Sequence, residues 1–164
     1  MNRCFRPLVG SDLELVASID SAATQIPWSL AQFVDSAKHN YCTVICLGEQ
    51  VIGFAIFQQV LDEITLLNIA IQPNYQRQGH AKALLVDQLQ QLSRQGARQC
   101  FLEVRLSNLN AIGLYQALGF IIVGERKNYY PVNHRSENGG YKKTSRENAL
   151  VMCLSLEKYT EDSA

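Results

Sequence analysis

Three groups of residues near the middle of this chain have the types and spacing of group-transfer chemistry. The first is the run Gln76-Arg77-Gln78-Gly79-His80-Ala81, which joins an apolar segment to a Leu-rich one. A glycine there lets backbone approach a ligand with no Cβ in the way. The first amides of a following helix have no intrahelical acceptor, and the helix dipole favours an anion at that end. Arg77 adds a full positive charge, and a pyrophosphate fits such a turn. The second group is Glu103 within Leu102-Glu103-Val104-Arg105, a carboxylate suited to general-base work. The third is Tyr115, a phenol near pKa 10 that stays protonated at neutral pH and can serve as an acid. An acid, a phenol and an anion turn in one βαβα unit suggest group transfer from a phosphate-containing cofactor.

Each residue has a plainer reading. A lone glycine before a helix is usually only a turn. The run is not a Walker A loop, which ends Gly-Lys-Ser/Thr, nor the Gly-x-Gly-x-x-Gly of dinucleotide folds. Glu103 reads equally as a solvated strand-end glutamate or as a salt-bridge partner of Arg105. Tyr115 has core spacing with Ala111 and Leu118. Cys100 offers a covalent route, but strand parity turns it away from Glu103 and no histidine is placed locally to activate it.

The elements that must position these groups follow from periodicity. Arg3 to Val9 reads as a strand. Ser11-Asp12, with Glu14 three residues after Ser11, reads as a helix N-cap, as in a capping box. Pro27-Trp28-Ser29 starts a second helix carrying Leu30, Phe33 and Val34. Tyr41 to Leu47 and Val51 to Val60 form a hairpin around Gly48-Glu49. Ile64 to Ile71 is apolar on both faces, as a covered central strand is. Gly79 to about Ser93 is a helix lined by Ala81, Leu84, Leu85, Leu89 and Leu92, and Gly96 ends it. Gln99 to Arg105 is a strand on which Glu103 shares a face with Phe101 and Arg105. Ser107 or Asn108 caps a helix that Gly119 ends. Phe120 to Gly124 is a strand, Asn133 to Asn148 a mobile loop, and Ala149 to Leu156 a last strand. The order β-α-α-β-β-β-α-β-α-β-β predicts an α/β mixed sheet, mostly antiparallel, flanked by about four helices.

Composition bounds the rest. The 164 residues predict one domain, 1–164. Fifteen basic and fifteen acidic residues balance, so neither a nucleic-acid stripe nor a polybasic membrane footprint is expected. No apolar run reaches the length of a membrane span, and the N-terminus lacks the apolar stretch of a signal peptide. Five dispersed cysteines read as reduced thiols and three scattered histidines make no metal set, so a cytoplasmic protein without a metal is expected.

Gln76-x-x-Gly79-x-Ala81, its flanking strand and helix, and Asn108…Tyr115…Gly119-Phe120 resemble the acetyl-CoA motif and second helix of the GNAT N-acetyltransferase family. Asn68-Ile69-Ala70-Ile71, Leu102-Glu103-Val104-Arg105, Asn128-Tyr129-Tyr130-Pro131 and Pro27-Trp28-Ser29 resemble its RimI-like branch, whose members acetylate the N-terminal alanine of ribosomal protein S18. The resemblance implies acetyl-CoA as co-substrate, direct attack by the amine, Glu103 as base and Tyr115 as acid. It implies cofactor contacts from Ile69, Ala70, Ile71, Arg77, Gln78, Gly79, His80, Ala81, Lys82 and Asn108. Asn108 has the competing role of helix cap. Backbone N–H groups of the Asn68–Ile71 strand would meet the oxyanion if a bulge frees one. Trp28, Glu63, Tyr129 and Tyr130 would shape the acceptor groove of an enzyme that works as a monomer. Two departures from the family pattern stand out: Ala81, where many members have Gly, and the length of the 133–148 segment. Open alternatives are a small-amine or lysine acetyltransferase on the same fold, and a non-catalytic acyl-CoA-binding module.

Overall fold

The elements form in the order that periodicity requires. In the computed structural model, which describes residues 2–132 and 145–160, these are β1 (Arg3–Pro7), α1 (Leu13–Ala23), α2 (Leu30–His39), β2 (Tyr41–Leu47), β3 (Gln50–Val60), β4 (Glu63–Ile71), α3 (His80–Arg94), β5 (Gln99–Arg105), α4 (Leu109–Leu118), β6 (Ile121–Val132), β7 (Ser145–Ser155) and a short α5 (Glu157–Thr160). They fall into two compact units. One runs up to Cys100 and resumes at Ser155; the other is Phe101–Leu154.

In the first unit β1, β2, β3 and β4 pair antiparallel in sequence order. Val51 to Phe57 of β3 are all buried, because helices cover both faces of this sheet. On one face Val44, Phe54, Ile56 and Ala70 meet Val16, Ile19 and Phe33 of α1 and α2 in one apolar cluster. The opposite face carries α3, whose buried Leu84, Leu85, Leu89 and Leu92 recur at helical spacing. There Thr43 Oγ1 on β2 donates to Gln88 Oε1 on α3 at 2.7 Å, fully buried. A buried polar pair left unmatched costs about 1–3 kcal/mol, so this bond fixes how α3 lies on the sheet.

Local chemistry sets the helix ends. Ser29 Oγ accepts from the Gln32 N–H while Gln32 Oε1 accepts from the Ser29 N–H, a capping box that starts α2. At α1 the expected Ser11-Asp12 start falls on Asp12, which is the N-cap residue, although its side chain makes no capping bond to α1. Ser11 lies within a 3-10 turn, Gly10–Asp12, and α1 begins after Asp12. The Asp12 carboxylate takes both Arg6 Nη groups, at 2.7 and 2.9 Å, and the Val9 N–H. That two-point charged bond is what occupies the Asp12 carboxylate in place of a helix amide.

In the second unit β6 and β7 pair antiparallel. β6 continues through Tyr129 and Tyr130 to Val132, well past the Gly124 end expected from the sequence. β7 begins at Ser145, so 145–148 belong to a strand rather than to the expected mobile loop. The rest of that expected loop, 133–144, lies outside the described residues. Among the described residues no helix is long and apolar enough to cross a membrane.

Candidate functional site

The anion turn lies between β4 and α3. β4 carries a bulge beside it: Ile56 of β3 faces Asn68 and Phe57 faces Leu66, so Leu67 is the extra residue. A bulge unpairs one residue and twists the strand locally. Beyond it Ile69, Ala70 and Ile71 pair with Ala55, Phe54 and Gly53. Ala70 and Ile71 are buried, which limits their offer to a ligand to backbone.

Past β4 the chain makes a 3-10 turn, Pro73–Tyr75, and then two left-handed residues, Arg77 at φ 60° and Gly79 at φ 78°. Only glycine enters that region freely; for arginine it is a local strain of about 1–2 kcal/mol. Such strain gathers at ligand clamps. Left-handed residues in a turn gather successive N–H groups into an anion-binding concavity. Gln76 Nε2 ties the turn to the Ile71 carbonyl at 2.8 Å, and Gln78 Nε2 reaches the Asn74 carbonyl at 3.2 Å. Arg77 and Lys82 are exposed, with their charges in solvent. His80 is the first residue of α3. Its imidazole is buried, and Nδ1 accepts from Arg3 Nε at 3.0 Å. Its backbone N–H is among the first amides of α3, which have no intrahelical acceptor. Burial and the Arg3 charge hold this imidazole below the usual histidine range. Arg3 was invisible to sequence reasoning, because 77 residues separate it from His80.

Trp28 caps the apolar cluster. Its ring lies 5.4 Å from that of Phe33 at a 52° tilt, and the Trp28 backbone N–H donates to Asp20 Oδ2 at 2.8 Å. Asp20 also accepts from Asn68 Nδ2 at 3.2 Å, beside the bulge. Burial pushes the Asp20 carboxyl up from its ordinary value. One buried acid thus joins the turn before α2 to the bulged strand. Glu63 is placed apart from them, exposed at the β3–β4 hairpin where it pairs with Val60.

In the second unit β5 alternates as expected: Leu102 and Val104 are buried, while Phe101, Glu103 and Arg105 are half-buried. Glu103 Oε1 accepts from Arg126 Nε at 2.9 Å. The Tyr129 phenol also donates to Glu103, and that bond raises its pKa above the ordinary tyrosine value. Arg105 instead pairs with Glu147 at 2.9 Å and donates to the Pro131 carbonyl at 3.0 Å. The Ser107 contacts and Arg105 hold the Glu147 carboxyl below its ordinary value.

A second bulge makes this cluster. Arg126 faces Ala149 and Tyr130 faces Glu147, so three residues of β6 oppose Asn148. Asn128 there adopts φ 52° and donates its N–H to Asn148 Oδ1 at 3.0 Å. Neighbours on a regular strand face opposite ways. Here the rings of Tyr129 and Tyr130 meet edge to face at 5.0 Å. The Arg126 guanidinium lies 5.1 Å from the Tyr129 ring centroid, and that of Arg105 lies 4.4 Å from the Tyr130 centroid. The two tyrosines are therefore strand residues re-aimed by a bulge.

On α4, Asn108 is the N-cap, its Oδ1 accepting from the Ala111 N–H at 3.2 Å. Of its two expected roles the cap is the one seen. Tyr115 is buried, with its ring 5.7 Å from Phe120. Gly119 closes α4 at φ 99°. Among the described residues no group of three His, Cys, Asp or Glu could hold a metal ion.

The sequence profile of the acetyltransferase (GNAT) family matches residues 11–120. The ribosomal protein bS18-alanine N-acetyltransferase of Escherichia coli K12 is 38% identical over 147 residues, 89% of this chain and 93% of the relative. The enzyme of the same name from Haemophilus influenzae is 42% identical over 146 residues, 88% of this chain and 93% of that one. The crystal structure of the ribosomal-protein-S18-alanine N-acetyltransferase from Escherichia coli matches with a TM-score of 0.82 at 36% identity, covering 94% of each chain. The fold class read from the sequence, an α/β mixed sheet flanked by helices, is the one these relatives share. The chain belongs to the acetyltransferase (GNAT) family.

Proposed function

We propose that this protein transfers the acetyl group of acetyl-CoA to the N-terminal alanine amine of a protein, ribosomal protein S18. Identity of 38–42% over nine-tenths of the relatives bearing that activity supports the substrate. The observation that carries the chemistry is Glu103, a half-buried carboxylate oriented by Arg126 and by the Tyr129 phenol.

The amine must be neutral to attack. An α-amine near pKa 8 loses its proton about 3 kcal/mol more readily than a lysine near 10.4. One carboxylate, acting directly or through water, suffices for that task. Glu103 takes the proton. The co-substrate supplies the activated thioester, and its phosphates go to the left-handed turn at Arg77–Gly79 and the first amides of α3. The exposed Arg77 and Lys82 add positive charge there. A backbone N–H near the Leu67 bulge stabilises the oxyanion, and Tyr115 returns a proton to the departing thiolate. Trp28, Tyr129 and Tyr130 contact the acceptor peptide. Glu63 contributes least, being at the far end of β4 from the turn.

The test is mass spectrometry of peptides incubated with the protein and acetyl-CoA. An Ala-initiated peptide with the S18 N-terminal sequence gains one acetyl group on its α-amine. Acetylation of an internal lysine or a polyamine instead, with that peptide ignored, overturns the acceptor. Glu103→Gln and Tyr115→Phe each lower kcat by roughly 10²–10³-fold while CoA binding persists. Retained turnover in both variants overturns their roles.

A further inference from the structure

The turn that we assign to acyl-CoA phosphates is held from outside by β1. Arg3 Nε donates to His80 Nδ1 and Arg3 Nη2 donates to the Gln78 carbonyl, both at 3.0 Å. One guanidinium thus spans the point where the chain leaves its left-handed turn and enters α3.

The Gln78 carbonyl is the important partner. It belongs to the peptide unit that also carries the Gly79 N–H. A trans peptide is planar, so its C=O and N–H point in opposite directions. Fixing the carbonyl fixes where the Gly79 N–H aims. Glycine makes that unit easy to turn over, since Gly79 can take either sign of φ. A flipped unit would present an oxygen where an anion needs a donor. The Nε bond adds a second point of attachment. Nδ1 of His80 accepts it only as the neutral imidazole whose proton is on Nε2. Both acceptors are neutral, so the bonds leave the guanidinium's own charge beside the turn.

We infer that Arg3 is a positioning residue for the cofactor turn, holding the Gln78–Gly79 peptide in the orientation that directs its N–H to a phosphate. The inference rests on the reading of 76–81 as the acyl-CoA phosphate site. Arg3 lies outside the residues 11–120 that the family profile matches.

Titration calorimetry of the full chain with free CoA, together with steady-state kinetics, tests it. Arg3→Ala raises the Kd for CoA and the KM for acetyl-CoA by roughly tenfold, as loss of charge-assisted bonds does, and leaves kcat within about twofold. Arg3→Lys keeps the charge but cannot bridge two acceptors, and it shows most of the same loss. NMR of the His80 imidazole reports the contact directly: its pKa rises toward the ordinary histidine value in Arg3→Ala. Wild-type affinity in Arg3→Ala overturns the inference. So does full recovery in Arg3→Lys, which would make charge alone the cause. Absence of CoA binding by the wild-type protein removes the site reading itself and the inference with it. Binding by wild type that Arg3→Ala leaves unchanged removes only the inference.

Discussion

Glu103 pairs with Arg126, not with Arg105, its neighbour two positions along β5. The 2.9 Å contact comes from a different strand, β6, and Arg105 is committed to Glu147. The proposed base is therefore aimed by a side chain that local sequence does not reveal.

Arg126→Ala removes that aim. Arg126 is half exposed, so the ion pair contributes little to folding, under about 1 kcal/mol. Catalysis depends on orientation more steeply than stability does. The expected result is a fall of roughly tenfold in kcat with an unchanged KM for acetyl-CoA. Steady-state kinetics beside urea denaturation of the same variant separates the two effects.

The Tyr129 phenol donates to Glu103, and the carboxylate favours the protonated phenol. In Glu103→Gln that charge is gone, so the Tyr129 pKa falls back toward the ordinary tyrosine value. Ultraviolet difference titration, with Tyr129→Phe to identify the transition, reads the shift. An unmoved transition removes the hydrogen bond from the account.

The Arg6–Asp12 pair gives stability a defined pH dependence. The Arg6 bond holds the Asp12 carboxyl below its ordinary 3.8. A lowered pKa means that the contribution is complete above 3.8 and is lost as pH falls through the folded-state value. Asp12→Asn costs about 1–2 kcal/mol at pH 7, a figure kept modest because Arg6 is partly exposed. The cost shrinks in strong acid, where both proteins carry a neutral side chain. Urea midpoints at pH 7 and pH 2.5 compare them.

The element order was legible because apolar period distinguishes strands from helices. Ser29, Asn108 and Gly119 announced their caps through side-chain chemistry that acts within three or four residues. The start of α1 was legible at Ser11-Asp12, but the Arg6 partner that holds the Asp12 carboxylate was not, because it comes from the preceding strand. The extent of β6 was hidden for a related reason. Asn128 has the composition of a turn residue and takes a turn residue's positive φ, yet it sits in a bulge that the β7 partner stabilises. The proposed cofactor turn was read from helix-end physics and family pattern together. The partners of Glu103 and His80 arrive from distant segments, which no local window contains.

Gly53 supports the proposed cofactor strand from behind. A Cβ there would lie 2.6 Å from the Ala70 carbonyl and 2.5 Å from Ile71 Cδ1. The carbonyl is backbone in a paired strand and yields only if β4 moves. Gly53→Ala is expected to lose about 2–3 kcal/mol of stability and to weaken CoA binding by displacing Ala70. Thermal unfolding and calorimetry test the two parts. By contrast, a Cβ at Gly79 meets only Arg3 Nη2, at an ordinary 3.8 Å, so Gly79→Ala carries chiefly the conformational penalty of its positive φ, about 1 kcal/mol.

The buried Thr43–Gln88 bond has a mechanical consequence. It fastens α3 to the sheet at a point about 13 Å along the helix from Gly79. With that fastening as fulcrum and a helix as rigid arm, a tilt of about 5° would sweep the amides at Gly79 through about 1 Å, the margin between a good hydrogen bond and a poor one. On the proposed reading of the turn, affinity for the co-substrate is thus adjustable from a point well along α3, by a hydroxyl that never meets it.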